Sequence, residues 1–248
     1  MKNTIAANLL CIFLTVLMFP LAGLALNGNE ILRQVDANLN PPSFEMYRKL
    51  INIEPDGTKK EFVMFSLKKG RDKIASVFLS PASEKGRSTL RIGDNMWLYI
   101  PNVGRPLRIT SLQSVTGGIF NNSDIMRVDY NAEYNCEKIE TVGSEYKLRL
   151  KAKRKNIAYE NVNMFIDSKK LLPSIIQCYA ASGMLIKTLY FKKIKDFGNN
   201  IVRPSLIETR SPLYKGYKSY IIFAKIVPRK LDNEIFSLNY MDKINSLR

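Results

Sequence analysis

The chain opens on a long apolar run with almost no charge. Lys2 precedes it, Glu30 is the next charged residue, and Ile5 to Leu26 lie between. Leu9, Leu10, Ile12, Phe13, Leu14, Val16, Leu17, Met18 and Phe19 lead to a break at Pro20. Gly23-Leu24-Ala25 then places small residues just ahead of a cut after Ala25. A basic start, an apolar middle and a small-residue exit predict a secretory signal peptide over 1–25, leaving 26–248 as a single exported domain. About 20 apolar residues could also span a bilayer as an uncleaved anchor; Pro20 and the Gly23/Ala25 exit favour cleavage.

The pattern then changes to helical spacing. Gly28 to Leu39 sets Ile31, Leu32, Val35 and Leu39 on one stripe, and Pro41-Pro42 ends the helix. Beyond it a two-residue period dominates. Phe44–Glu54 and Lys59–Lys69 flank Pro55-Asp56-Gly57, where Pro presets φ and Gly accepts the left-handed position. Further segments at hairpin spacing are Ile74–Ser80, Met96–Pro101, Tyr146–Lys151 and Met184–Lys192, punctuated by turns such as Glu84-Lys85-Gly86 and Gly198-Asn199-Asn200. Closely spaced strands of this kind predict a mainly β (α+β) chain with one antiparallel sheet, curved or partly closed, rather than βαβ units.

Alternation also shows which strands have a wet face. Tyr146, Leu148 and Leu150 alternate with Lys147, Arg149 and Lys151, apolar on one side and cationic on the other. Met96 to Ile100 and Ser219 to Ala224 carry no charge at all, so both of their faces need cover. With few helices to supply it, a curved sheet would keep an apolar concavity, the way barrel-like folds make lipid cavities.

Charge and composition narrow the chemistry. The 248 residues include 38 Lys plus Arg against 22 Asp plus Glu, a formal charge of +16, and no histidine. Ser-His-Asp and Cys-His nucleophiles are excluded within this chain, and so is the commonest transition-metal ligand. No cofactor or metal site is expected. Such a basic protein first suggests nucleic acid, but the basic residues are dispersed. An exported chain would direct them to transient contact with anionic membrane surfaces instead. Export also places Cys136 and Cys178 in an oxidising space, where they could close a disulfide or remain two buried thiols. Asp124 and Asp129 could be argued as paired acids of an enzyme, but capping a short helix near Asn121–Val128 is the stronger reading.

The middle of the chain resembles a known family. Leu90 to Pro101 (LRIGDNMWLYIP), then Arg105 to Ile109 (RPLRI), resemble the outer-membrane lipoprotein-sorting proteins, the LolA-like periplasmic carriers. Phe120-Asn121-Asn122-Ser123-Asp124 is similar to that family's Phe…Gly-Ser-Asp segment, with Asn122 where Gly is usual. Tyr179 to Lys187 is similar to its Tyr-Asp-x-x-Gly-x-Leu-x-Lys hairpin, with Ala180 replacing Asp. The resemblance implies a strongly curved, incomplete antiparallel β-barrel with a helical lid over an apolar cavity. It also implies a non-enzymatic carrier of lipid or lipoprotein acyl chains, moving them toward the outer membrane between an inner-membrane exporter and an outer-membrane acceptor. Asn122 and Ala180 mark a divergent branch. The expected cavity lining is Phe65, Phe78, Trp97, Tyr99, Leu148, Leu150, Met164 and Tyr190, with Ser111–Ile125 either a mobile flap or an ordinary loop. A non-enzymatic accessory or scaffold protein attached to a lipid or drug exporter is the alternative, and a packed, dry core would favour it.

Overall fold

The computed structural model describes residues 27–127 and 129–248. The expected signal peptide, 1–25, lies outside the described residues. Helix α1 spans Gly28–Leu39, as the stripe predicts, and buries Ile31, Leu32, Val35 and Leu39. Asn27 caps it, its side chain accepting from the N–H groups of Asn29 and Glu30. Gly28 is required by contact rather than by φ: a Cβ there would stand 2.3 Å from Cys136 Sγ. Among the described residues, no helix is long and apolar enough to cross a membrane.

Six strands follow in a meander: β1 (Ser43–Ile53), β2 (Lys59–Lys69), β3 (Lys73–Ser80), β4 (Ser88–Ile92), β5 (Asn95–Tyr99) and β6 (Pro106–Ile109). Two short helices, α2 (Asn122–Ile125) and α3 (Tyr130–Glu133), lead into a second meander. It comprises β7 (Tyr134–Val142), β8 (Glu145–Ala152), β9 (Asn161–Asp167), β10 (Pro173–Tyr179), β11 (Leu185–Asp196), β12 (Val202–Arg210) and β13 (Lys218–Pro228). All thirteen form one sheet ordered β6-β5-β4-β3-β2-β1-β13-β12-β11-β10-β9-β8-β7. The edge strands β6 and β7 do not pair, so the barrel is incomplete, as expected. The strands fall close to the segments read from alternation, Lys59–Lys69 to the residue.

Alternation sorts the side chains onto two faces. On the inner face Phe44, Met46 and Leu50 of β1, Phe62 and Met64 of β2, Leu148 and Leu150 of β8, and Met164 of β9 join α1 in one large core. The second core lies across the sheet, where Phe65, Leu67, Ala75, Val77 and Leu90 meet Leu231, Ile235, Phe236, Met241 and Ile244 from the C-terminal segment. Ser88 donates to the Met241 carbonyl at 2.6 Å and Lys69 to that of Leu231 at 2.6 Å, stapling this segment down. Met96–Ile100 therefore has the cover on both faces that its sequence demands. The outer face of β13 is not covered in the same way: Ile222 is 37% exposed.

Because the two edge strands are consecutive in sequence, residues 110–133 carry the chain from one edge to the other. This connector is anchored rather than free. Val115, Ile119 and Phe120 are buried, and the Ile119 N–H donates to Ser219 Oγ at 3.2 Å. Gly118 is pressed so close to Asn52 that an added Cβ would meet its Oδ1 at 2.1 Å. The flap expected over Ser111–Ile125 is thus tied into the core through its second half.

Candidate binding site

The inner face is apolar but not uniformly so. Along β1 the inward register runs Phe44, Met46, Arg48, Leu50, Asn52, and all five are buried. Along β11 the buried Lys187 precedes Leu189 in the same register. These cations enter a polar layer beneath α1 and the connector. Lys187 Nζ lies 2.8 Å from Asp124 and 2.5 Å from the Ile119 carbonyl. Arg127 reaches Asp124 at 3.1 Å, and Tyr159 donates its hydroxyl to the same carboxylate at 3.0 Å. Arg91 pairs with Glu133, and Lys68 with Asp129 at 2.8 Å. Burial acts to raise the Asp124 carboxyl, but Lys187 and Arg127 override it and hold the group below its ordinary range.

Asp36 of α1 accepts from the N–H groups of Tyr130 and Asn131, each at 2.8 Å, which fixes the helix to the connector. Burial pushes its carboxyl up to about 7 against the pull of those donors.

Beside this layer lies a cavity of about 60 Å³. Its apolar walls include Leu39, Phe44, Met46, Ile74, Phe120, Leu189, Ile221 and Phe223, and its charged side chains are Arg48, Lys68, Asp124, Arg127 and Arg203. Ligand pockets run to about 300–1,000 Å³, so this space holds a few waters and not an acyl chain. A groove of about 660 Å³ lies outside, lined by Ala37, Asn38, Pro41, Pro42, Leu172, Ile194 and Val202. Leu39, the last residue of α1, and Asn40 after it line the inner cavity, while their neighbours on both sides line the groove.

None of the eight side chains expected to share a lining borders this cavity. Phe78, Leu148, Leu150 and Met164 are buried in the large inner core. Phe65, Trp97 and Tyr99 pack on the other face, beneath the C-terminal segment. Tyr190 lies under Lys192 and Arg210, whose charged groups are 5.5 and 5.9 Å from its ring. For the four on the other face the cause is register, since one step along a strand changes the face; the four on the inner face are packed into the core away from the cavity. The residues that do line the cavity were signalled by a cation at an inward position, as Arg48 is between Met46 and Leu50.

Cys136 and Cys178 are both free. They share a row, since Cys136 faces Leu150, Leu150 faces Val162 and Val162 faces Cys178. Three strand spacings of about 4.8 Å set them roughly 14 Å apart along the sheet, well beyond disulfide reach. Asp124 caps α2 in a reciprocal box with Asn121, as its sequence context predicts, and Asp129 is held by Lys68. Neither aspartate adopts the role of a paired catalytic acid. Asn122, at the family's glycine position, donates its amide to the Thr110 carbonyl at 2.8 Å and ties the connector to the end of β6.

Comparison with known structures places this architecture. A LolA superfamily protein from Nitrosomonas europaea is 25% identical and superposes with a TM-score of 0.79, over 87% of this chain and 100% of that one. A family model described as an uncharacterized protein family matches residues 70–243. The chain belongs to this family, and its fold is LolA-like. A domain from Vibrio parahaemolyticus, named as an outer membrane lipoprotein-sorting protein, shares the LolA-like fold. It has 20% identity and a TM-score of 0.72, over 87% of this chain and 98% of that one. A DUF1329 family protein from Desulfovibrio piger has 18% identity and a TM-score of 0.73, over 86% and 97% of the two chains. No curated protein matches the LolA-like chain.

Proposed function

We propose that this protein is a non-enzymatic periplasmic carrier, a single LolA-like domain over 26–248. It would accept lipid or lipoprotein acyl chains on the concave face of its sheet and deliver them toward the outer membrane. The observation that carries this reading is how the concave face is filled. It is covered not by a second sheet but by helix α1 and the connector, whose Ile31, Leu32, Val35, Leu39, Val115 and Phe120 pack into the inner core. The likeness to the lipoprotein-sorting protein of Vibrio parahaemolyticus and the leader-like N-terminus support the same reading.

The small cavity makes opening part of the mechanism. Cargo must displace material, and α1, which buries Ile31, Leu32, Val35 and Leu39 against the sheet and belongs to no strand pairing, is the element to move. Each buried methylene of cargo is worth about 0.8 kcal/mol, so a few acyl chains could replace the buried stripe of α1. Release then needs a competing surface rather than a chemical step.

Photocrosslinking tests the proposal. A benzophenone amino acid at Met46 or Phe223, inner-face positions, should capture lipid in cells, while one at Tyr190 on the other face should not. Lipid-free protein from both inner positions, with no uptake of an acyl probe by the purified chain, would sink the carrier reading and leave the exporter scaffold.

A further inference from the structure

Among the described residues five cations are fully buried: Arg48, Lys68, Arg91, Lys187 and Arg203. Lys68, Arg91 and Lys187 each face a carboxylate. Arg48 and Arg203 pair with none; both line the small cavity, whose wall also carries Lys68, Asp124 and Arg127, with Asp124 already engaged by Lys187 and Arg127. Arg48 rests on two hydroxyls, Ser66 Oγ at 3.2 Å and Ser76 Oγ at 3.3 Å. Arg203 donates to the Leu39 carbonyl and to Asn40 Oδ1, the latter at 3.0 Å, and stacks 4.5 Å over the Phe223 ring. In both residues Nε is buried without a partner.

A buried charge with neutral partners alone is among the most costly arrangements a core can hold. The surroundings record that strain. Burial, then mutual repulsion, brings the Arg48 guanidinium down to about 9, and burial brings that of Arg203 down to about 10. Two guanidiniums that repel each other across a largely apolar space, each with an unused donor, are the fork that a carboxylate or phosphate completes. The space between them is walled by Phe44, Met46, Phe120 and Phe223, which suits the start of an alkyl chain.

We propose that Arg48 and Arg203 form the headgroup site of the cavity, receiving the acidic group of an anionic amphiphile whose chain follows the apolar inner face. This rests on the carrier reading for the chain, but not for the anion. It also gives Arg203 a coupled role. Its guanidinium holds Leu39 and Asn40, so an arriving anion competes with the bonds that fix the end of α1.

Binding of palmitate (a carboxylate head), lysophosphatidate (a phosphate head) and monopalmitoylglycerol (an uncharged head) to the purified protein decides the matter, with inorganic phosphate as a chain-free anion. At least one acidic lipid should bind about tenfold or more tightly than the neutral one, about 1.4 kcal/mol. That preference should collapse in the Arg48→Met/Arg203→Met variant while neutral-lipid binding persists. The same variant should melt no lower than wild type in the absence of lipid, because it removes two uncompensated charges. Equal binding of acidic and neutral lipids would overturn the headgroup site and leave the carrier reading standing. If no lipid binds but phosphate raises the melting temperature of wild type alone, the anion pair stands and the carrier reading falls. Silence from all four ligands overturns both.

Discussion

Asp36 is a carboxyl in the wrong place for its charge, and the rest of the chain makes its titration visible. The sequence has no histidine, so between pH 5.5 and 8 little besides this group and the chain's α-amino group changes charge. Its folded value of about 7 lies above the ordinary 3.8, so the native state keeps a proton that the unfolded chain has already released. Stability linked to Asp36 is therefore fully present below about pH 4 and lost as pH rises through about 7, by at most about 4 kcal/mol. The carboxylates held low, Asp124 and Glu208 among them, give the opposite slope, but in the acid range below this window. The urea midpoint should fall between pH 5.5 and 8 in wild type and stay nearly level in Asp36→Asn. A midpoint that rises in wild type over that range would contradict the assignment. Little of this was legible in the sequence, where Asp36 is one more polar residue on a helix. Its burial comes from a partner, the connector at Tyr130 and Asn131, nearly a hundred positions away.

At the scale of elements the sequence was more informative. Strand and helix spans follow from alternation and from Pro and Gly punctuation, because those signals act within a few residues. Which face of each strand looks inward is also local information once one anchor is known. What the pattern could not supply was the second layer. The C-terminal residues from Leu231 to Ile244 form only short 3₁₀ turns, yet they cover the outer face of β2 to β5 and so decide where Phe65, Trp97 and Tyr99 lie. Trp97 is the sole tryptophan, which makes that cover measurable. Phe236→Ala should lower stability by about 3 kcal/mol and shift Trp97 emission to the red. An unshifted spectrum would mean that the C-terminal segment does not seal this face. The same change should leave Met46 and Phe223, on the inner face, as competent in lipid crosslinking as before.

At the scale of the whole molecule, dispersed charge sets the expected behaviour at surfaces. The chain's +16 is spread over the strands that alternate with apolar positions, as Lys147 and Arg149 are. Attraction to an anionic bilayer is then a long-range property, worth about 1 kcal/mol per well-placed cation and screened over about 10 Å at 0.1 M salt. Sedimentation with vesicles containing phosphatidylserine should be strong at low salt and fall away near 0.5 M, with no binding to phosphatidylcholine alone. Binding that ignores salt would indicate insertion instead.

The seam between β1 and β13 has its own meaning. Every other pair of neighbours in the sheet is adjacent along the chain, whereas this one joins Phe44 to Pro228. Each meander can zip by closing short loops, at little entropic cost, but the seam must close nearly the whole chain. Until the thirteenth strand arrives there are two separate ribbons and no interior. A polypeptide emerging from its N-terminus thus carries the strand of Arg48 long before that of Arg203, which appears only just ahead of the seam strand, and the pocket they share comes into being in one late step.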